Sequence, residues 1–389
     1  LPFQEGEIWL DKDGIAYRNG KKFVPYGFFS DYFNERYEGL TVAQTYCNWM
    51  TNVTELADWC AKGEKTGRVL VIPIQQRFGT GGKDVFTPAS MQGRLTDLQR
   101  AVLRQLAEAA RKEPWFGFYY MYDEPSGRDL NPEWFKDVRA FLCEIDPYHP
   151  TIILDYSLVG NVRYAEGADI SCPDAYPVYC SDGTTRDPRR LTYDFARAAG
   201  HSHAAWMCPQ YFDWDVFGRG KRTCGPTYDD LRMQTMLSFI GDVRGFVCWS
   251  RWSFCAALNK HLELGPRRII EEIRAASDLF LANSRPVKAV SSGSDRTFLA
   301  AEKEFGGRRL LIACNTADEP VEVAFEGIRL AQAFASGVGS AIVPASGRFS
   351  DRFGANEARV YYEQPGGFDL SAARAEVYAA EAARHSPGN

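Results

Sequence analysis

Asp123 and Glu124 close the stretch Trp-Phe-Gly-Phe-Tyr-Tyr-Met-Tyr-Asp-Glu-Pro at residues 115–125. The residues before the two acids are uncharged and mostly apolar or aromatic, and Pro125 stops a strand ladder from continuing. Such a run reads as a buried strand of a parallel sheet ending in two carboxylates, at the strand end where α/β proteins hold their chemistry. Paired carboxyls suit general acid–base work. One, kept protonated by burial and a charged neighbour, donates a proton, while another stays ionised to attack or to activate water. Glu124 has the surroundings for the acid; the alternative for either residue is to cap the next helix.

For the partner carboxylate, Asp174 ranks first, on a Pro-flanked segment after a sixth strand-like run, and Asp213 second, after a seventh. Either could instead cap a helix or a turn. Further polar residues at strand ends are Asp31, Asn48, Gln75, Gln76, Asp155, Gln210 and Asp215. Aromatics crowd the same rim, among them Trp49, Tyr122, Tyr176, Trp214 and Trp249. Carboxylates walled by flat aromatic faces suit a polyhydroxylated ligand, whose C–H faces stack on rings and whose hydroxyls donate to acids. Trp249 is the candidate sugar platform. Asp123, Tyr176, Gln210, Trp214 and Arg251 are candidate substrate contacts, Arg251 if the substrate is anionic. No Gly-rich phosphate loop follows the last two strands and no strand-end Lys offers a Schiff base.

The positioning elements alternate. A hairpin at residues 7–30, with turns at Asp13-Gly14 and Asn19-Gly20, leads into a first strand. Strand patterns follow at Thr41–Trp49, Arg68–Gln75, the 115–123 run, Thr151–Leu154, Asp169–Cys172, Ala204–Gln210 and Gly245–Ser250. Helices fall between them: Val53–Lys62, one opened by a Thr96/Gln99 capping box, one capped by Asn131 with Pro132 first, one near Pro188–Ala199, one from Thr227 with Asp230, and one from Pro266. Eight strands in βα rhythm predict a (β/α)8 TIM barrel over residues 1–285. An open doubly wound sheet is the alternative, but no G-x-G-x-x-G follows the first strand. Loops after the strands are longer than those before them, which places the elaborated surface at the C-terminal face. Residues 286–365 carry short alternating segments, predicting a small antiparallel β-sandwich, and 366–389 form a tail, a frayed helix or disordered.

Composition bounds the rest. The chain has 389 residues, 45% hydrophobic, and a net charge of −5 without a basic stripe, which excludes nucleic acid as an expected partner. No run of apolar residues is long enough for a membrane span. The first residue is Leu1, which suggests a removed export signal and a secreted or periplasmic location. Ten cysteines lack C-x-x-C spacing. Cys172, Cys208 and Cys248 fall in strands as small hydrophobes, Cys180 and Cys224 fall in loops as a candidate bridge, and His201 and His203 read as surface residues. No metal or organic cofactor is expected.

The segments Asn19-Gly20-Lys21-Lys22-Phe23-Val24-Pro25-Tyr26-Gly27-Phe28, Tyr122-Asp123-Glu124-Pro125, Asp174-Ala175-Tyr176-Pro177 and Cys248-Trp249-Ser250 together resemble a clan A glycoside hydrolase. The resemblance covers roughly residues 7–285, and the β-domain resembles the C-terminal sandwich such barrels often carry. It implies hydrolysis of a glycosidic bond in an oligo- or polysaccharide, with Glu124 as general acid/base. Two departures stand out. The usual Asn-Glu is Asp123-Glu124, which changes the neighbour that meets the sugar 2-hydroxyl. The seventh strand ends Pro209-Gln210-Tyr211-Phe212-Asp213, with no glutamate for the clan's nucleophile. Three accounts stay open: Asp213 or Asp215 is the nucleophile, Asp174 or Asp155 is the base of an inverting reaction, or the chain binds sugar without cleaving it. A barrel lyase or isomerase would need a metal cluster or a strand-end Lys, and neither is visible.

Overall fold

The computed structural model describes residues 1–29, 33, 39–46, 48–178, 190–212, 226–249, 261–293, 296–335, 342–364 and 368–384. Contacts divide the chain into two compact units. One holds Leu1–Ala175, Phe195–Cys208 and Val243–Ser250, and the other Tyr176–Asp194, Pro209–Asp242 and Arg251–Asn389.

The first unit is built on a closed barrel. Strands β4 (Tyr26–Phe29), β5 (Val42–Gln44), β6 (Val69–Pro73), β7 (Phe116–Asp123), β8 (Thr151–Leu154), β9 (Ile170–Ser171), β11 (Ala204–Pro209) and β12 (Gly245–Cys248) pair in parallel. The ring closes because β11 pairs with β9 as well as with β12, and β12 with β4. That excludes an open sheet. A two-residue strand β10 (Asp174–Ala175) extends the sheet beside β11. The hairpin strands β1 (Ile8–Leu10), β2 (Ala16–Arg18) and β3 (Lys21–Lys22) form a separate small sheet. Gly27 allows β4 and β5 to meet: a Cβ there would lie 2.0 Å from the Val42 carbonyl oxygen.

Parallel strands buried on both faces need apolar residues at every position, and β6 and β7 supply them. Leu70, Ile72, Tyr119 and Met121 share one cluster with helices α1 (Thr54–Thr66), α2 (Asp97–Ala110) and α3 (Pro132–Ile145). Local chemistry starts these helices as the sequence suggests. Thr96 and Gln99 form the reciprocal box of α2, and Asn131 accepts from the Glu133 N–H at 3.1 Å to cap α3. Trp134 then donates its indole N–H to Gln99 at 3.2 Å, tying the two helices together. Helix α4 (Leu158–Arg163) follows β8, and α5 (Leu191–Ala199) precedes β11.

In the second unit, α6 (Tyr228–Ile240) opens on the Thr227/Asp230 box and is buried on nearly every face. It packs against α7 (His261–Ala275), the sandwich strands β15 (Phe298–Phe305), β16 (Arg308–Asn315) and β20 (Ala358–Tyr362), and the terminal helix α9 (Leu370–Arg384); a short α8 (Ser277–Phe280) lies between α7 and the sandwich in sequence. Burying charge on α6 requires a partner, and Arg232 meets Glu272 of α7 at 2.6 Å while also donating to the Ala358 carbonyl. The sandwich comprises a five-stranded antiparallel sheet, in which β13 (Ser284–Pro286) and β18 (Phe334–Ala335) join β15, β16 and β20, and a three-stranded one of β14 (Lys288–Ser291), β17 (Val321–Glu326) and β19 (Arg348–Phe353). Phe298, Phe325, Phe349, Phe353 and Tyr361 pack between them.

Several boundaries differ from the sequence reading. The second strand stops at Gln44 instead of Trp49, because the chain turns there, with the Asn48 N–H donating to the Thr45 carbonyl at 3.1 Å. Helix α7 starts at His261, so Pro266 lies inside it. Strand β19 (Arg348–Phe353) was hidden by its charged outward residues, while Phe349 and Phe353 point inward. The tail segment forms α9, with Leu370, Ala373 and Val377 buried. Pro188 lies outside the described residues, as does Ala341.

Candidate active site

Strand β7 delivers Asp123 and Glu124 to the C-terminal face of the barrel. Glu124 is left-handed, at φ 54°, with its N–H on the Leu154 carbonyl at 3.0 Å, and the 3-10 turn Pro125–Arg128 follows. The turn is tied down by Asp155. Its carboxylate accepts from the Ser126 N–H at 2.9 Å, the Ser126 hydroxyl at 2.6 Å and the Ser157 N–H at 2.8 Å. Asp155 is therefore engaged as a brace for the turn beside Glu124.

Asp123 meets two phenols. Tyr46 donates to one oxygen at 2.6 Å and Tyr120 to the other at 2.7 Å. An aromatic collar supports them: Phe29 lies edge-on to Tyr46, Tyr120 and Trp249, and Trp249 is edge-on to Tyr46 with centroids 5.9 Å apart. A cavity of about 520 Å³ opens over these groups, lined by Tyr46, Trp49, Gln75, Tyr122, Asp123, Glu124, Gly127 and Arg128.

Asp174, on β10, is buried beside Glu124, and its Oδ1 has no hydrogen-bond partner. Burial pushes Asp174 well above the usual carboxylate range, and Glu124, as charge and as partner, and the charge of Asp123 add to it. Burial also raises Glu124, helped by the charges of Asp123 and Asp155, while the hydrogen bond from Asp174 acts the other way. The two carboxyls therefore keep a proton where ordinary carboxyls have lost theirs.

Gln210 lies in the second unit and is fully buried. Its Oε1 accepts from the Val178 N–H at 3.0 Å, and its Nε2 donates to the carbonyls of Val178 at 2.6 Å and Phe212 at 3.3 Å. The amide is a backbone staple between residues 178 and 212. Tyr176 stands edge-on to Phe212, centroids 5.0 Å apart. Asp213, Trp214 and Arg251 lie outside the described residues, as do Asp31, Asp215, Cys180 and Cys224. Cys172, Cys208 and Cys248 are buried and in no disulfide, and His201 and His203 are exposed.

The structure brings together Asp123, Glu124, Asp174 and Trp249 of the sequence candidates within one unit. Tyr46 and Arg128 were not among those candidates. Tyr46 was hidden by placing it inside a strand; Arg128 carries no sequence signal beyond its place four residues after the acid. Among the described residues no group of three His, Cys, Asp or Glu could hold a metal ion, and no helix is long and apolar enough to cross a membrane.

The fold is that of solved glycoside hydrolases. It is similar to a glycoside hydrolase family 5 protein from Bacteroides vulgatus ATCC 8482, with TM-score 0.62 and 12% identity over 92% of this chain and 93% of that one. A putative alpha-galactosidase/melibiase from Bacteroides fragilis NCTC 9343 gives 0.57 and 11% over 93% and 90%, and an Anoxybacillus alpha-amylase 0.55 and 8% over 88% and 98%. At these identities the likeness is one of fold. No family model matches the chain, and no curated protein matches it in sequence.

Proposed function

We propose that the chain is a glycoside hydrolase acting on an oligo- or polysaccharide, with Glu124 as general acid and the buried Asp174 as the carboxyl that shares its proton. The observation that carries the reading is Glu124 on the lining of a polar, aromatic-walled cavity, with the buried Asp174 beside it. Proton donation to a departing sugar oxygen needs a carboxyl that stays protonated near neutral pH, and burial beside acids produces one.

A retaining pair of carboxyls stands roughly 5–5.5 Å apart and an inverting pair roughly 6.5–9.5 Å. Asp174 beside Glu124 shares the acid's proton, and Asp213, four residues beyond β11 in sequence, is our candidate for the second catalytic carboxylate. Asp123 and Trp249 are the proposed sugar contacts of the first unit, and Tyr176, Trp214 and Arg251 those of the loops after β10, β11 and β12. Gln210 supports the loops it staples. A two-carboxylate mechanism needs no metal or organic cofactor. A polysaccharide substrate, too large to enter a cell, would place the protein outside it or in the periplasm.

Gln210, a structural amide where the clan's nucleophile is expected, favours a second reading, a carbohydrate-binding protein without turnover. One experiment separates the two. Wild type and Glu124→Gln are assayed against aryl glycosides and natural oligosaccharides, with the first-formed anomer followed by NMR. Turnover lost in the variant supports the hydrolase; unchanged turnover would sink Glu124 as the acid. Saturable sugar binding without turnover on any substrate supports the binding protein.

A further inference from the structure

We infer, building on the reading of Glu124 as the acid, that the cavity takes an acidic sugar: Arg128 on its lining forms a subsite for a uronate carboxylate or a sulfate ester, with Arg77, packed on the Trp49 ring, adding positive charge nearby. The turn that presents Arg128 is unusual. It is bracketed by two left-handed non-glycine residues, Glu124 at φ 54° and Asp129 at φ 46°. Such conformations are disfavoured for L-residues, persist only where surrounding contacts impose them, and concentrate at ligand sites. Here the brace is Asp155, through the two hydrogen bonds to Ser126. The result is a held turn that puts a guanidinium on the cavity lining beside the acid.

That guanidinium has no ion-pair partner among the described residues. The adjacent acid, Asp129, is turned instead to Arg163 at 2.5 Å. Asp84, whose charge reaches Tyr122 as Arg128's does, accepts from the Phe86 N–H at 2.9 Å and makes no ion pair with Arg128. A second cation stands against the wall. Arg77 lies 4.4 Å from the centroid of the Trp49 ring, and its buried Nε has no hydrogen-bond partner. Arg94 and Arg139 of the same unit, by contrast, each meet a carboxylate at 2.8 Å.

A neutral sugar entering this cavity would strip water from Arg128 and return only hydroxyls. A carboxylate or sulfate supplies the opposite charge and matches the planar fork of the guanidinium with two hydrogen bonds. The charge of Asp123 is met by two tyrosine hydroxyls, and the Glu124–Asp174 pair retains a proton. The pocket therefore repels an anion less than its count of acids suggests.

The test is calorimetric titration of the Glu124→Gln chain, which keeps the site while removing the proton donor, with oligosaccharides identical except for a terminal neutral, glucuronate or 6-sulfated sugar. One of the acidic ligands should bind about tenfold or more tightly than the neutral one, and which one does so identifies the anion. Adding Arg128→Ala should bring the acidic-to-neutral ratio to within about twofold of unity, and Arg128→Lys should retain part of it. Equal affinities, binding of none of the three, or a preference that survives both Arg128→Ala and Arg77→Ala would overturn the inference. Turnover is scored separately on wild type. Cleavage with equal affinities leaves Glu124 as the acid and removes the anionic subsite, whereas an Arg128-dependent preference without cleavage keeps the subsite and removes the hydrolase.

Discussion

Glu124 and the buried Asp174 are neighbours that act on each other electrostatically, so the two cannot both be ionised without a like-charge clash. Glu124 follows β7 and Asp174 begins β10, and closure of the barrel brings them together. Burial and the charges of Asp123 and Asp155 raise Glu124 on the cavity lining above the ordinary carboxylate range.

Asp174→Asn should flatten the dependence of stability on pH. Both carboxyls are raised in the folded chain, so their contribution to stability is complete below the ordinary carboxylate range and is lost as pH rises through their folded-state values. Wild type should weaken as pH rises from about 4 toward neutrality, and the variant should weaken less. Urea titrations across that range decide it, and identical slopes would remove the shared proton.

Asp123→Asn restores the Asn-Glu pair expected at this strand end. It removes a charge that helps hold up the Glu124 pKa, so Glu124 should lose its proton at lower pH. The alkaline limb of kcat/KM against pH should move toward acid, while staying above the ordinary glutamate range because burial is the larger cause. A limb that does not move would show that Glu124 is not the titrating acid.

Asp155→Ala frees the Ser126 turn. Loss of its hydrogen bonds to Ser126 and Ser157 should destabilise the fold by about 1–3 kcal/mol. Misplacing Glu124 should lower kcat by up to about 100-fold with little change in KM. Asp155→Asn, which keeps part of the brace, should recover part of both. A rise in KM with kcat unchanged would point to substrate contact instead.

Gln210→Glu should not create the clan's nucleophile. The Nε2 donor facing the carbonyls of Val178 and Phe212 would become an acceptor, setting like dipoles against each other in a buried site. The expected outcome is a loss of about 1–3 kcal/mol in chemical denaturation and no gain in turnover. An increase in kcat would show that the side chain turns into the substrate site.

Much of the fold was legible in local patterns. The apolar runs of β6 and β7, and the capping residues Thr96, Asn131 and Thr227, depend on neighbours a few positions away, and they sit where their types suggest. The second strand was overrun because Thr45 and Tyr46 have strand-forming side chains, and only the turn to Asn48 ends it. With Tyr46 placed inside a strand, its hydroxyl could not be seen as the donor to Asp123. Strand β19 was missed because its solvent-facing charges mask two inward phenylalanines.

By itself, the sequence determined that an apolar strand ends in Asp123 and Glu124, that such strands alternate with helices, and that short β segments follow. These features rest on side-chain periodicity and hydrogen bonds within a few residues of each other. Only the tertiary structure decided that Asp174 meets Glu124, that Asp155 braces its turn, that two tyrosines hold Asp123 and that Gln210 is occupied by backbone. Which acids meet depends on how the strands register and close into a ring, and residues far apart in the chain acquire their roles only when that closure removes them from water and sets them against one another.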